Sequence, residues 1–211
     1  MNFLWLNKKN NKNLIVFFNG WGMNKAIVSH LGYKDNDILM FYDYRKIDIE
    51  NIDFSQYKNR FLIAWSMGVY MSNWFYDKLK NFNKKIALNG TFFPINNTCG
   101  IAEKIYDLTV NNFNEISCNK FIQRMFIKKD FYFDRTTKEL KDELVAIKQY
   151  THKPLQKTLK YDKVIISLQD KIIPAKNQIN FWKKTKTVNI ENIDCGHYPF
   201  AIFDNWNQII K

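Results

Sequence analysis

The sequence predicts an α/β fold, a mostly parallel sheet with helices on both faces. Three observations lead there. Strand-length apolar runs alternate with helix-patterned segments along most of the chain. The rhythm breaks once, between about residues 94 and 160, where only helical pattern is found. Such an insert is expected to form a lid over the C-terminal edge of the sheet, where folds of this class place ligands. Finally, 211 residues with 46% hydrophobic and 17% aromatic content suit one domain, residues 1–211, around an ordinary core.

The elements follow in order. Residues 3–6 and 14–18 read as strands separated by a polar Asn-Lys stretch, and are expected to pair as a hairpin at a sheet edge. Asn24 is placed to cap a short helix carrying Ile27, Val28 and Leu31. Residues 37–42 form the next strand. Residues 60–65 form a buried strand that runs straight into a helix bearing Val69, Met71, Trp74 and Phe75. Residues 85–89, 164–168 and 187–190 supply three more strands. Within the insert, a helix starts at Thr136 with Glu139 as its capping-box partner, and Leu140, Leu144 and Ile147 share one face. No internal repeat or linker divides the chain.

Composition narrows the function classes. With only 7 Gly and 4 Pro, collagen-like and low-complexity readings fail. The longest apolar runs, residues 14–18 and 61–65, fall far short of the roughly 20 residues a membrane helix needs. The first residues, Met1-Asn-Phe-Leu-Trp-Leu, lack the basic start and apolar length of a signal peptide. Cys99, Cys118 and Cys195 are an odd number without metal-like spacing and fit reduced thiols. A cytoplasmic protein without metal or cofactor, away from membranes, is therefore expected. The 32 basic and 20 acidic residues give a net charge of +12, which points to an acidic partner of unspecified kind.

The informative chemistry begins at Phe61-Leu-Ile-Ala-Trp-Ser66-Met-Gly68-Val. A strand runs into a serine and a helix begins at once, the arrangement of a nucleophile elbow, G-x-S-x-G, with Ala64 at the first small position and Gly68 at the second. The plainer reading is that Ser66 only caps the helix. Two other segments favour catalysis. Asp170 follows the strand at 164–168, on a loop stiffened by Pro174. His197 lies in Asp194-Cys-Gly-His197-Tyr-Pro199-Phe200, after the last strand and before the last helix. The order Ser, Asp, His, each beyond a strand's C-terminal end, is the order of α/β-hydrolases. A serine hydroxyl needs a base to become nucleophilic, and a histidine ring exchanges protons near neutral pH. Asp170 would orient that ring, with Asp194 as the rival carboxylate. His30 and His152 have no comparable surroundings. Asn19-Gly20-Trp21-Gly22-Met23 follows the second strand, where an oxyanion donor belongs. The backbone amides of Trp21 and Met67 are the candidate oxyanion hole, and no phosphate-loop spacing is present.

Three segments carry a resemblance: F-F-N-G-W-G-M at residues 17–23, A-W-S-M-G at 64–68 and G-H-Y-P-F at 196–200. Together they resemble the BioG type of pimeloyl-[acyl-carrier protein] methyl ester esterase, a short α/β-hydrolase family of biotin synthesis. The likeness spans nearly the whole chain in length and motif order. It implies hydrolysis of the methyl ester at the far end of a pimeloyl chain that phosphopantetheine tethers to acyl carrier protein, while the thioester at the near end survives.

Carrier proteins of this kind are strongly acidic, so a basic face would orient them. Lys120, Arg124 and Lys128 recur every fourth residue with Lys129 beside them, and on a helix they form one stripe. These four are the candidate carrier-docking residues, although a solvated basic face reads the same way. Other readings stay open here: a general short-chain carboxylesterase or acyl thioesterase, or a non-catalytic binder of carrier protein or nucleic acid. No nucleic-acid-binding motif is present to favour the last, and nucleic acid is not an expected partner.

Overall fold

The structure, a computed structural model, describes residues 1–47, 52–125, 131–185 and 188–211. Seven strands form one sheet: β1 (Asn2–Asn7), β2 (Asn13–Phe18), β3 (Asn36–Tyr42), β4 (Asn59–Trp65), β5 (Lys84–Leu88), β6 (Lys163–Ser167) and β7 (Asn189–Ile193). Their spatial order is β1-β3-β2-β4-β5-β6-β7. Every pairing is parallel except β1 with β3. Thr187, at the start of the expected last strand, lies outside the described residues.

The alternation of side chains explains why the central strands read as unbroken apolar runs. In β2, Leu14, Val16 and Phe18 enter one core while Ile15 and Phe17 enter the other. In β4, Leu62 and Ala64 point one way, and Ile63 and Trp65 point the other. A strand buried on both faces has no polar side to show. The first core receives the helix α1 (Met67–Met71), the insert helix α5 (Thr137–Thr151) and α6 (Ala175–Trp182). The second receives the short 3₁₀ turn Lys25–Val28, capped by the Asn24 side chain, and the C-terminal helix α7 (Trp206–Ile210). Helices thus lie on both faces, as expected. The helix after β4 is broken: a 3₁₀ turn at Ser72–Phe75 separates α1 from α2 (Tyr76–Leu79).

One expectation is corrected. β1 and β2 do not form a hairpin; β3 lies between them. Each of the five apolar residues of β2 is buried, so this strand belongs between two neighbours, whereas half-exposed β1 suits an edge. The Asn-Lys connection crosses the end of β3, where Asp37 accepts the backbone N–H of Lys9 at 2.9 Å and of Asn11 at 3.3 Å.

Between β5 and β6 the described regular elements are helical: α3 (Glu103–Asn111), α4 (Glu115–Met125) and α5. Thr136 caps α5 in a reciprocal capping box with Glu139, and Leu140, Leu144 and Ile147 are buried. No described helix is long and apolar enough to cross a membrane.

Candidate active site

Ser66 stands at the tip of the sharp turn between β4 and α1. Its backbone has φ 57° and ψ −122°, a conformation that side-chain-bearing residues rarely adopt. The turn persists because its surroundings hold it. The Ser66 N–H donates to the Leu88 carbonyl at 2.9 Å, and the Val69 N–H donates to the Ser66 carbonyl at 3.1 Å. Gly68 has no alternative, since a Cβ there would lie 2.3 Å from the Phe18 carbonyl oxygen. Ser66 itself makes no side-chain capping bond, which removes the plainer reading of this serine.

The hydroxyl turns to His197 instead, with Ser66 Oγ 2.8 Å from Nε2 of the ring. On the other side of the ring, Nδ1 is 2.7 Å from Asp170 Oδ2. An ionised carboxylate only accepts, so Nδ1 carries the proton and Nε2 is left to accept from the serine. Asp170 is aimed by three further donors. The N–H groups of Ile172 and Ile173 reach Oδ1 at 2.8 and 2.9 Å, and Gln178 Nε2 reaches Oδ2 at 2.9 Å. His197 is 1% exposed. Its carbonyl accepts from the Trp65 indole at 2.9 Å and from Asn89 Nδ2 at 3.0 Å, which pins the loop that carries it. The rival Asp194 is exposed and accepts from Gln169 at 2.6 Å, away from the ring.

These side chains open onto a cavity of about 200 Å³. Its floor includes Gly20, Trp21, Ser66, Met67 and His197, and its roof includes Ile105, Tyr106 and Leu108 of α3, Phe121 of α4 and Leu144 of α5. Among the described residues, neither the Trp21 nor the Met67 backbone N–H has a hydrogen-bond partner, and both residues flank the serine. Lys120 and Arg124 stand exposed at the rim. Lys128 and Lys129 lie outside the described residues.

Sequence reasoning missed Gln178, Asn89 and the buried carboxylate of Glu143. Gln178 sits on α6 with no motif around it. Asn89 carries one legible signal, a polar residue directly after an apolar strand; it is fully buried at φ 46° and bridges to Ser167. Glu143 accepts the N–H of Gly22 at 3.1 Å and of Tyr44 at 2.8 Å. Burial pushes its carboxyl up, and the nearby Arg135 guanidinium opposes that.

The family model described as pimeloyl-ACP methyl esterase BioG matches residues 1–209. A crystal structure of BioG from Haemophilus influenzae superposes with a TM-score of 0.91 at 27% identity, covering 100% of both chains. A lipase-esterase related protein from Clostridium acetobutylicum shares the fold, with a TM-score of 0.67 at 14% identity over 95% of this chain and 93% of that one. A Bacteroides fragilis protein described as malonyl-[acyl-carrier protein] O-methyltransferase is 36% identical over 200 residues. That match takes in 90% of this chain, which spans only 40% of the length of that relative. By fold, by motif order and by a match over nearly its whole length, this chain belongs to the pimeloyl-ACP methyl esterase BioG family of α/β-hydrolases.

Proposed function

We propose that this chain hydrolyses the methyl ester of pimeloyl-[acyl-carrier protein] methyl ester to the free acid and methanol, serving biotin synthesis. The observation that carries this reading is the continuous row Asp170, His197, Ser66, with links of 2.7 and 2.8 Å, ending at the floor of an apolar cavity. Ser66 Oγ attacks the ester carbonyl while His197 Nε2 takes its proton, and Asp170 stabilises the imidazolium that forms. The carbonyl oxygen becomes an oxyanion facing the Trp21 and Met67 N–H groups, each such donor lowering the barrier by about 3 kcal/mol. The intermediate collapses, His197 protonates the departing methoxide, and methanol leaves a pimeloyl-serine ester. Water, deprotonated by His197, then attacks that ester, and Ser66 recovers its proton as the free carboxylate departs.

The rim supports a carrier-borne substrate. Lys120 and Arg124 have no carboxylate partner among the described residues, while Ile105, Leu108 and Ile116 nearby are 53%, 49% and 66% exposed. Charge would attract the acidic carrier protein, and the apolar residues would receive the acyl arm. The Bacteroides fragilis relative is described as methylating malonyl-[acyl-carrier protein], and a methyl ester on a carrier-bound acid is what such a methyl transfer makes. We read residues 94–160 as the lid of a single domain spanning 1–211, and place its work in the cytoplasm, the compartment that suits its free Cys99, Cys118 and Cys195. The test is methanol release from the carrier-linked methyl ester. Ser66→Ala is expected to abolish it, and undiminished turnover removes Ser66 from the mechanism. Equal rates on free small methyl esters would instead indicate a general carboxylesterase.

A further inference from the structure

We propose that Glu143, on the insert helix α5, is a positioning residue for the oxyanion hole: its carboxylate holds the peptide that follows Trp21 and so helps fix where the Trp21 N–H points. The inference deepens the esterase reading and rests on it.

Trp21 is bracketed by contacts to α5. Its indole N–H donates to the Leu140 carbonyl at 3.0 Å. The next amide, that of Gly22, donates to Glu143 Oε2 at 3.1 Å. Leu140 and Glu143 are neighbours on one helix face, three residues apart. Gly22 has φ 74°, so the chain turns sharply there. The Trp21 N–H belongs to the Gly20–Trp21 peptide, whose carbonyl accepts the Met23 N–H at 3.3 Å, while Glu143 holds the Trp21–Gly22 peptide that follows; the two bonds together fix the backbone torsions at Trp21 on which the direction of its N–H depends. The other carboxylate oxygen, Oε1, accepts the Tyr44 N–H at 2.8 Å, and the Tyr44 hydroxyl donates to the Asn19 carbonyl at 2.5 Å. Asn19 in turn accepts the Gly20 N–H on its own side chain at 2.8 Å. Each amide around Trp21 is thereby occupied, and the Trp21 N–H itself is left for the oxyanion.

The chemistry of Glu143 fits positioning better than packing. It is fully buried, where an apolar side chain of similar size would fill the space without a desolvation cost. What an apolar residue lacks is a pair of charge-assisted acceptors for two backbone amides, which are stronger and more directional than neutral ones. Arg135 compensates the charge, with Nη2 donating to Glu143 Oε2 at 2.8 Å and Nη1 lying 3.1 Å from Asp43 Oδ1. One consequence is that, of the lid read at residues 94–160, α5 is the part that cannot swing away without dismantling the hole. Substrate enters instead past α3 and α4, where the exposed Ile105, Leu108 and Ile116 lie.

Two variants test this on carrier-linked methyl pimeloyl: Glu143→Gln, and the paired Glu143→Met, Arg135→Met. The pair leaves no unmatched charge between these two positions; like any loss of the carboxylate it leaves the Gly22 and Tyr44 N–H groups without their acceptor, and it takes one guanidinium from Asp43, which keeps Arg45. Melting temperature, kcat, KM and inhibition by a trifluoromethyl ketone analogue of the ester are read together. Because the ketone forms a hemiketal oxyanion on Ser66, it senses the hole directly. The expected result is a ~10–100-fold fall in kcat, KM within about twofold, and ketone binding weakened by the same factor as kcat/KM. The paired variant should fold, with a melting temperature below the parent's for the two N–H groups it leaves without acceptors, and still be slow. Either folded variant with parental kcat and ketone affinity overturns the proposal. So does a paired variant that regains stability and kcat together, which would mark Glu143 as structural support alone. Failure of the esterase reading looks different: the unsubstituted protein would release no methanol, or Ser66→Ala would release it undiminished.

Discussion

Ser66 occupies a backbone conformation that costs a side-chain-bearing residue about 1–3 kcal/mol, and its neighbours hold it there. The strain is measurable apart from catalysis. Ser66→Ala and Ser66→Gly both delete the hydroxyl and its bond to His197, so their difference isolates the backbone. Glycine accepts φ 57° freely, against a loss of about 0.5–1 kcal/mol from the greater freedom of its unfolded chain. Ser66→Gly should therefore be the more stable of the two by about 1 kcal/mol, or roughly 2–4 °C in melting temperature for a chain of this size. Equal melting temperatures would mean an unstrained elbow. The three residues of the row were legible in the sequence because each is a reactive side chain directly beyond a strand, where position alone implies the sheet's C-terminal edge. The choice of Asp170 over Asp194 was only half legible. Both lie near that edge, and what separates them is a carboxylate aimed at the ring against one turned outward to Gln169. Glu143 was not legible at all: it meets Gly22 across 121 residues of chain, and nothing in its helical surroundings distinguishes a buried acid from a solvated one.

At the scale of elements, the strands and the capped helix α5 were legible and the neighbour relations less so. Strand identity follows from local apolar runs, but which strand adjoins which depends on how completely each is buried. Local pattern alone therefore pairs β1 with β2, where the fold pairs it with β3. The loop after β3 carries a second long-range feature, the cluster of Asp43, Arg45, Arg135, Glu139 and Glu143 that ties it to the segment leading into α5. At Asp43, burial pushes the carboxyl up, but the hydrogen bond from Arg45 and the charges of Arg135 and Arg45 outweigh it and hold the group below its ordinary range. A carboxyl with a lower pKa folded than unfolded binds its proton more readily when unfolded. Its contribution to stability is present above the unfolded value near 4 and is lost as pH falls through the depressed folded value. Asp43→Asn should thus be less stable than the parent at pH 7, and the gap should narrow at about pH 3 and below. Denaturant midpoints at the two pH values read this directly, and a gap that does not change with pH would show that the ionised form of Asp43 adds nothing.

Over the whole molecule, a net charge of +12 and a Lys120 and Arg124 at the cavity rim, without a carboxylate partner among the described residues, bear on encounter rather than on chemistry. An acidic carrier approaching such a rim gains most from charge before contact, so the effect belongs in kcat/KM and not in kcat. Reversing both charges, with Lys120→Glu and Arg124→Glu, should lower kcat/KM for the carrier-linked ester by about tenfold or more at low salt. A free methyl ester, which brings no acidic protein, should be hydrolysed at a rate within about twofold of the parent, since the row of Asp170, His197 and Ser66 is untouched. Salt supplies the internal control. Raising ionic strength from 0.01 to 1 M shortens the screening length from about 30 to about 3 Å, so the parent should approach the variant on the carrier substrate while neither changes much on the free ester. Equal losses on both substrates would mean that the two residues act on the ester inside the cavity they help line, and a parent rate indifferent to salt would leave the basic rim without a role in docking.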